Sequence, residues 1–445
     1  METGFPLVML VGPVVMAAVA LALRAFRRVT VIIGLATVIL LTLLLALAEP
    51  ATGLFADNTV SLLGREAVLT PFVRSLFLFI YPAMGLLFLL AWARPMGRAL
   101  VPVGLAALSP LAGALMISPP GLGAVLLLAA AAVVVPALHD GKFSAAASTW
   151  RYFLMVAVAL APILLATSGS MLATFSVGWL APLAATLILL GGFPFHIWAA
   201  ALGRHITPAV AALVLGIGHL VVVTFLLSML DSVPGARSTV EFQSAVRWSA
   251  VLTALIGAFE MTRAVSWRGV VAGALLLDMG FLLLVALAPG ADGLSVAIPA
   301  LIARYVSLLL IAVGLSGAPM SGQSTRGGRL FALLRPALLV YGFLSLVGLP
   351  LTPGFAGRWP QLAVAGQGGG IWPALLLVVA MAAGAGALVR MARRQTSALA
   401  EPAGSAPEVT GFEYGLTLFL LASAGLLGLF PGILSALASL MLGLG

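Results

Sequence analysis

The chain has 445 residues, 62% of them hydrophobic, with only 22 basic and 13 acidic side chains. That is 8% charged, against roughly 25% in a soluble globular protein, too few to present such a chain to water. A soluble enzyme, a nucleic-acid binder and a disordered chain are excluded, and the net charge of +9 comes from basic residues that flank apolar runs and read as topology signals.

A helix needs about 20 apolar residues to cross the hydrocarbon core. Such stretches fall, in chain order, at 6–23, 29–48, 72–92, 99–117, 120–138, 149–168, 172–194, 208–230, 248–266, 269–288, 295–315, 331–352, 371–389 and 411–430. The spacing predicts fourteen spans, with a further apolar stretch at 432–444 that is either a short fifteenth span or an interfacial segment. The first run lacks a basic leader and reads as a retained helix rather than a cleaved signal. Three loops are longer than the rest. The stretch 49–71 alternates apolar and polar residues around Gly64-Arg65 and predicts a small exterior hairpin. The stretch 231–247 is a second long loop, and 395–410, rich in Gly, Ser and Pro, reads as a flexible connector.

Loops after odd-numbered spans hold sixteen basic residues, among them Arg24, Arg94, Lys142, Arg204, Arg263, Arg268 and Arg394. Loops after even-numbered spans hold four, Arg65, Arg74, Arg237 and Arg247. The positive-inside rule then places the odd loops in the cytoplasm and the N-terminus outside. With no cysteine there is no disulfide, thiolate metal site or haem attachment. No metal, cofactor or catalytic residue is expected on this chain.

Ionisable residues at bilayer depth are costly and are functional candidates by default. His219 in span 8, Asp278 in span 10 and Arg304 in span 11 each lie about ten residues into their spans, near one midplane depth. Glu260 sits in span 9, closer to the cytoplasmic side. Arg358 follows the break Gly348-Leu349-Pro350-Leu351-Thr352-Pro353-Gly354 in span 12, and His196 follows Gly191-Gly192-Phe193-Pro194-Phe195 at the end of span 7. These six residues are the candidate ion path, with the helix breaks at Pro194, Pro350 and Pro353. Asp278 and Arg304 are expected within salt-bridge distance, either as a buried pair that fixes helix register or as part of the path. Asp278 and His219 are the members able to change charge; Arg304 and Arg358 stay protonated and bias them. His205, His139 and Asp140 read as loop surface.

Paired helix breaks in two halves of a membrane protein mark ion pathways, because broken backbone must face protein or water. The two breaks lie five spans apart, so the broken helices run in opposite directions. The predicted fold is therefore an all-α polytopic membrane protein with two inverted five-helix repeats, spans 4–8 and 9–13, and broken helices 7 and 12. Within one transmembrane domain, 1–445, this gives peripheral helices and the hairpin at 1–98, the repeats at 99–230 and 248–390, and a C-terminal helix at 411–445.

Gly191-Gly192-Phe193-Pro194-Phe195-His196-Ile197-Trp198, with Thr207-Pro208 and His219 after it, resembles the antiporter-like subunits of respiratory complex I, the Mrp antiporters and the membrane hydrogenases. Leu344 to Arg358 and Leu277-Asp278-Met279-Gly280-Phe281 are similar to two further signatures of that family. The resemblance spans the chain and is nearest to the subunit-N type, since the long C-terminal lateral helix of the L type has no counterpart. It implies a proton-translocating membrane module with a hydrated midplane axis, partnered by other membrane subunits in a bacterial-type inner membrane. At most it is a non-catalytic subunit of an NADH:quinone oxidoreductase-like translocase. Carried over residue by residue, His219 takes the span-8 relay position, Arg358 the span-12 lysine and Asp278 the span-10 histidine. The span-7 lysine falls at about Leu189, and no acid lies between Glu66 and Asp140, so span 5 has no glutamate. The first half-channel is thus expected to be degenerate. The alternatives are a non-pumping scaffold homologue, the membrane partner of an ion-driven inorganic-carbon uptake system, and a stand-alone ion transporter.

Overall fold

The computed structural model describes residues 4–47, 58–62, 64–94, 96–139, 143–168, 178–315, 326–367, 370–398 and 411–444. Asp140, Lys142 and most of the connector at 399–410 lie outside the described residues. The chain is an all-α polytopic membrane protein. Three peripheral helices come first, α1 (Phe5–Ala22), α2 (Arg27–Leu47) and α3 (Pro71–Ala93). Between α2 and α3 lies the antiparallel hairpin of β1 (Thr59–Leu62) and β2 (Arg65–Val68), with Thr59 opposite Val68 and Leu62 opposite Arg65.

A first set of helices follows: α4 (Leu100–Met116), α5 (Pro120–His139), α6 (Phe143–Thr167), the half-helices α7 (Leu180–Leu189) and α8 (Ile197–His205), then α9 (Pro208–Ala211) and α10 (His219–Ser232) joined by a wide π-type turn at Ala212–Gly218. The second set repeats the pattern with α11 (Val240–Arg263), α12 (Trp267–Leu283), α13 (Gly290–Leu315), the half-helices α14 (Arg326–Val347) and α15 (Pro353–Gly366), and α16 (Ile371–Ala398). Two last helices, α17 (Gly411–Leu429) and α18 (Gly432–Leu442), close the chain. Among the described residues, 11 helices are long and apolar enough to cross a membrane.

Three boundaries differ from the sequence reading. The break at the end of span 7 and the break within span 12 are each followed by a further half-helix, α8 and α15, beyond the predicted span ends. Both second halves escape hydropathy because they are short and carry Arg204 and His205, or Arg358, Trp359 and Gln361. The loop at 231–247 is shorter than expected: Thr239 caps α11, its hydroxyl accepting from the Phe242 amide, so the helix starts at Val240. His205 is not loop surface. It ends α8, half-buried, with its Nδ1 2.8 Å from the Ser148 hydroxyl.

Burial decides which helices form the centre. The stretches carrying His219, Asp278 and Arg304 are the most enclosed, whereas α1, α6 and α17 are the least enclosed. Helices in lipid gain little from the hydrophobic effect and associate through close packing of small residues. Here α11 and α12 meet backbone to backbone: a Cβ on Gly257 would stand 2.3 Å from the Leu277 amide nitrogen. That contact sets the rotation of α12 that turns Asp278 inward.

Candidate functional site

Asp278, Arg304 and Arg358 meet at the centre of the second helix set. Asp278 on α12 is ion-paired through one carboxylate oxygen to Arg304 Nε on α13 and through the other to Arg358 Nη2 on α15. All three residues are at most 3% exposed. The pair expected between Asp278 and Arg304 is present; the second guanidinium on the same carboxylate was not foreseen. Burying charge is tolerated only with pairing and hydrogen bonding, and the surroundings pair both guanidiniums and hydrogen-bond most of their donors. Arg358 donates to the Leu346 carbonyl at 2.8 Å and to Gln361 Oε1 at 3.1 Å, and its guanidinium lies 4.7 Å from the centre of the Phe281 ring. Arg304 donates to the Leu215 carbonyl at 3.2 Å. That carbonyl is in the π-type turn, a kind of distortion that frequently marks functional sites.

His219 joins the cluster through its Nδ1, 3.0 Å from Arg304 Nη1. Arginine offers donors only, so Nδ1 accepts and the ring is neutral, with its proton on Nε2. A charged imidazole at this position would face the guanidinium donor to donor. His219 therefore changes charge only if Arg304 first turns away. Two arginines and one aspartate leave the buried cluster with one net positive charge.

The chain geometry around the break in span 12 serves this cluster. Gly348 adopts φ +89°, and a Cβ there would stand 2.1 Å from Arg358 Cγ, so only glycine lets the arginine fold back across the break. The Ser345 hydroxyl, which accepts from Ser307 at 2.7 Å, also accepts from the Gly354 amide at 3.1 Å and ties the two half-helices together. The break in span 7 is held in the same manner. The Phe193 amide donates to Thr253 Oγ1 at 2.8 Å, and Ser249 donates to the Phe193 carbonyl at 2.7 Å. Trp198 bridges that break, its indole N–H donating to the Ile188 carbonyl at 3.1 Å.

The centre of the first set is different. A cavity of about 40 Å³ lies among α4, α5, α6, α7, α8 and α10, walled by Leu127, Ala131, Val134 and Leu189. Its polar edge is Tyr152, Trp198 and His219. One water needs ~10–15 Å³ and two to four polar partners, so the volume admits a few waters but the apolar wall gives them little to bind. Leu189 and the facing side of α5 line the cavity without a carboxylate or an ammonium.

The remaining candidates lie apart from the cluster. Glu260 pairs with Arg204 at a half-exposed end of α11. His196, half-buried in the span-7 break, stacks on Phe193 with ring centres 5.8 Å apart. His139 ends α5 at intermediate exposure. Among the described residues no group of three or more His, Asp or Glu could share a metal. Sequence reasoning missed Gln361, fully buried against Arg358, and the hydroxyls of Ser249, Thr253, Ser307 and Ser345. Gln361 was legible only as an amide in a stretch read as loop, and the hydroxyls only as polar residues within apolar runs.

No family model matches the sequence, and no curated protein matches it. Solved structures do. A chain of respiratory complex I from Thermus thermophilus with bound NADH matches at a TM-score of 0.72 and 23% identity, over 98% of this chain and 99% of that one. A chain of the membrane-bound sulfane sulfur reductase, an archaeal respiratory membrane complex, matches at 0.74 and 15% identity, over 98% and 96%. A chain of the Mrp complex from Dietzia sp. DQ12-45-1b matches at 0.74 and 15%, over 99% and 96%. This chain has their fold. The likeness extends over the full length of each pair, including both broken helices of this chain, and at these identities it is a likeness of fold.

Proposed function

We propose that the chain is a membrane subunit of a multi-subunit energy-coupling complex and moves protons through its second helix set, while the first set has lost that ability. The fold shared with chains of complex I, the Mrp complex and the sulfane sulfur reductase supports membership of such a complex. The observation that carries the reading is Asp278 held between two guanidiniums, one of them on a half-helix beyond a backbone break. In this state the carboxylate is compensated, and an incoming proton must take the place of a guanidinium. If Arg358 withdraws about the break, one oxygen of Asp278 is freed and a proton can neutralise it. The return of Arg358 then displaces that proton, and the exchange of one positive charge for another keeps the net charge of the buried site constant throughout. His219 follows the same rule through Arg304.

In this reading the two helix sets are inverted repeats, 99–230 and 248–390, the basic loops face the cytoplasm, and the N-terminus lies outside a bacterial-type inner membrane. The partners are other membrane subunits, and any redox or cofactor chemistry belongs to them. The apolar first cavity favours one other reading, a closed scaffold that conducts nothing. The complex purified through a tag on this chain, reconstituted in liposomes with a potassium diffusion potential and a pH dye, separates the two. The proposal expects proton uptake that Asp278→Asn reduces to the level of empty liposomes at equal assembly. Absence of uptake in the wild-type complex would overturn it in favour of the scaffold.

A further inference from the structure

At one end of the bundle, away from the buried cluster, the ends of three helices enclose a pocket of about 340 Å³. Arg204 comes from the end of α8, Glu260 and Arg263 from the end of α11, and Ser266 and Arg268 from the start of α12. Three arginines face one glutamate, a net charge of plus two. Glu260 is taken by Arg204. Arg263 lies 5.4 Å from the centre of the Phe259 ring, and among the described residues neither it nor Arg268 is paired with a carboxylate. The amino end of α12 opens at the same place and adds the positive end of its dipole.

The charge around the pocket extends to the next helix. Arg247 near the start of α11 donates to the Gln367 carbonyl at 2.7 Å, and Gly384 of α16 faces Met261 near the end of α11. These two helices therefore run in the same direction, and Arg390, Arg393 and Arg394 at the far end of α16 gather at the pocket's end of the bundle. Below the pocket, Trp248, Leu252 and Phe259 form an exposed apolar stripe along α11, 46%, 40% and 57% exposed, and Val265 at the rim is 86% exposed. Residues four and seven apart share one helix face, so the stripe leads up to Arg263.

A concave site with two unpaired guanidiniums at the membrane boundary, continuous with an apolar stripe reaching into the hydrocarbon, matches one ligand chemistry: a phosphodiester with acyl chains attached. We propose that this pocket binds the headgroup of an anionic phospholipid, with Arg263 and Arg268 on the phosphate and one acyl chain lying along α11. The inference rests on the membrane fold and the surface charges, not on proton movement.

Native mass spectrometry of the detergent-purified complex tests it, with phosphatidylglycerol or phosphatidylcholine added and the chain released in the gas phase. The chain should retain phosphatidylglycerol and not phosphatidylcholine. An arginine near an anionic lipid surface contributes roughly fivefold in affinity, so the double variant Arg263→Gln/Arg268→Gln should weaken retention by about 25-fold. Arg65→Gln, at the start of β2, should leave it unchanged. Both changes lie on exposed helix ends, and an unaltered melting temperature confirms that the fold is intact. Equal retention of both lipids, or undiminished phosphatidylglycerol binding by the double variant, would overturn the site. Displacement of the lipid by millimolar inorganic phosphate would show an anion site with no lipid preference, and would overturn the assignment to phospholipid.

Discussion

In the helix set from 100 to 232, the space behind the broken helix is walled by Leu127, Ala131, Val134 and Leu189 and is nearly empty of polar groups. In the set from 240 to 398, the space beside the broken helix holds Asp278 paired with Arg304 and Arg358, each guanidinium also donating to a backbone carbonyl. Both breaks are nonetheless built alike. Each is rich in glycine and proline, and each has its freed backbone groups held by hydroxyls, Thr253 and Ser249 for one, Ser345 for the other. The broken helix is therefore a packing solution that stands without charges beside it. What differs is whether the space it creates is wired for charge. His219 belongs to both regions, since it lines the cavity of the first and bonds to Arg304 of the second.

The sharpest way to break this comparison is to remove the shared carboxylate. Asp278→Ala leaves two buried guanidiniums uncompensated, which costs about 3–5 kcal/mol when a buried pair loses one member. The expected result is a large fall in melting temperature in detergent. Replacing all three charges together, as Asp278→Leu/Arg304→Met/Arg358→Met, should restore most of it. Recovery would show that the charges serve function rather than stability. A smaller effect should follow from Gly348→Ala. The residue needs φ +89°, and the new methyl collides with Arg358, so about 1–3 kcal/mol is lost and Arg358 leaves Asp278. The counterpart Gly191→Ala, also at positive φ, has no charge pair to displace and should carry its backbone cost and tight contacts with Met279, Ala199 and Trp198. Two further changes sharpen the likeness instead. Ser345→Ala and Thr253→Ala each leave one backbone amide at a break without its acceptor, and each should cost about 1–3 kcal/mol. Unequal costs would show that only one break is held by its hydroxyl.

Much of this architecture was legible in the sequence, for physical reasons. Lipid demands about 20 apolar residues per crossing, so the spans declared themselves, and Gly191 to Pro194 and Gly348 to Pro353 marked the breaks because helices in lipid rarely carry such runs without cause. Depth along a helix was also legible, and it placed His219, Asp278 and Arg304 at one level. Direction around the helix axis was not. It was fixed by contacts such as Gly257 against Leu277, which no periodicity in an almost uniformly apolar segment reveals. For that reason the pairing of Asp278 with Arg358, eighty residues apart, and the diversion of Glu260 to Arg204 emerged only from the fold. The half-helices α8 and α15 were missed because they are short and their polar residues lower hydropathy.

The central claim is that charge moves through the second helix set and not the first. Proton uptake by the reconstituted complex, compared between wild type, Ala131→Leu and Asp278→Asn at equal assembly, tests it most directly. Ala131→Leu adds bulk to the apolar cavity and leaves Asp278, Arg304 and Arg358, which do not line it, in place, and Asp278→Asn removes the exchangeable carboxylate while keeping its shape. The account predicts wild-type uptake with the cavity filled and none above empty liposomes with Asp278→Asn. Loss of uptake on filling the cavity, with Asp278→Asn still conducting, would contradict it.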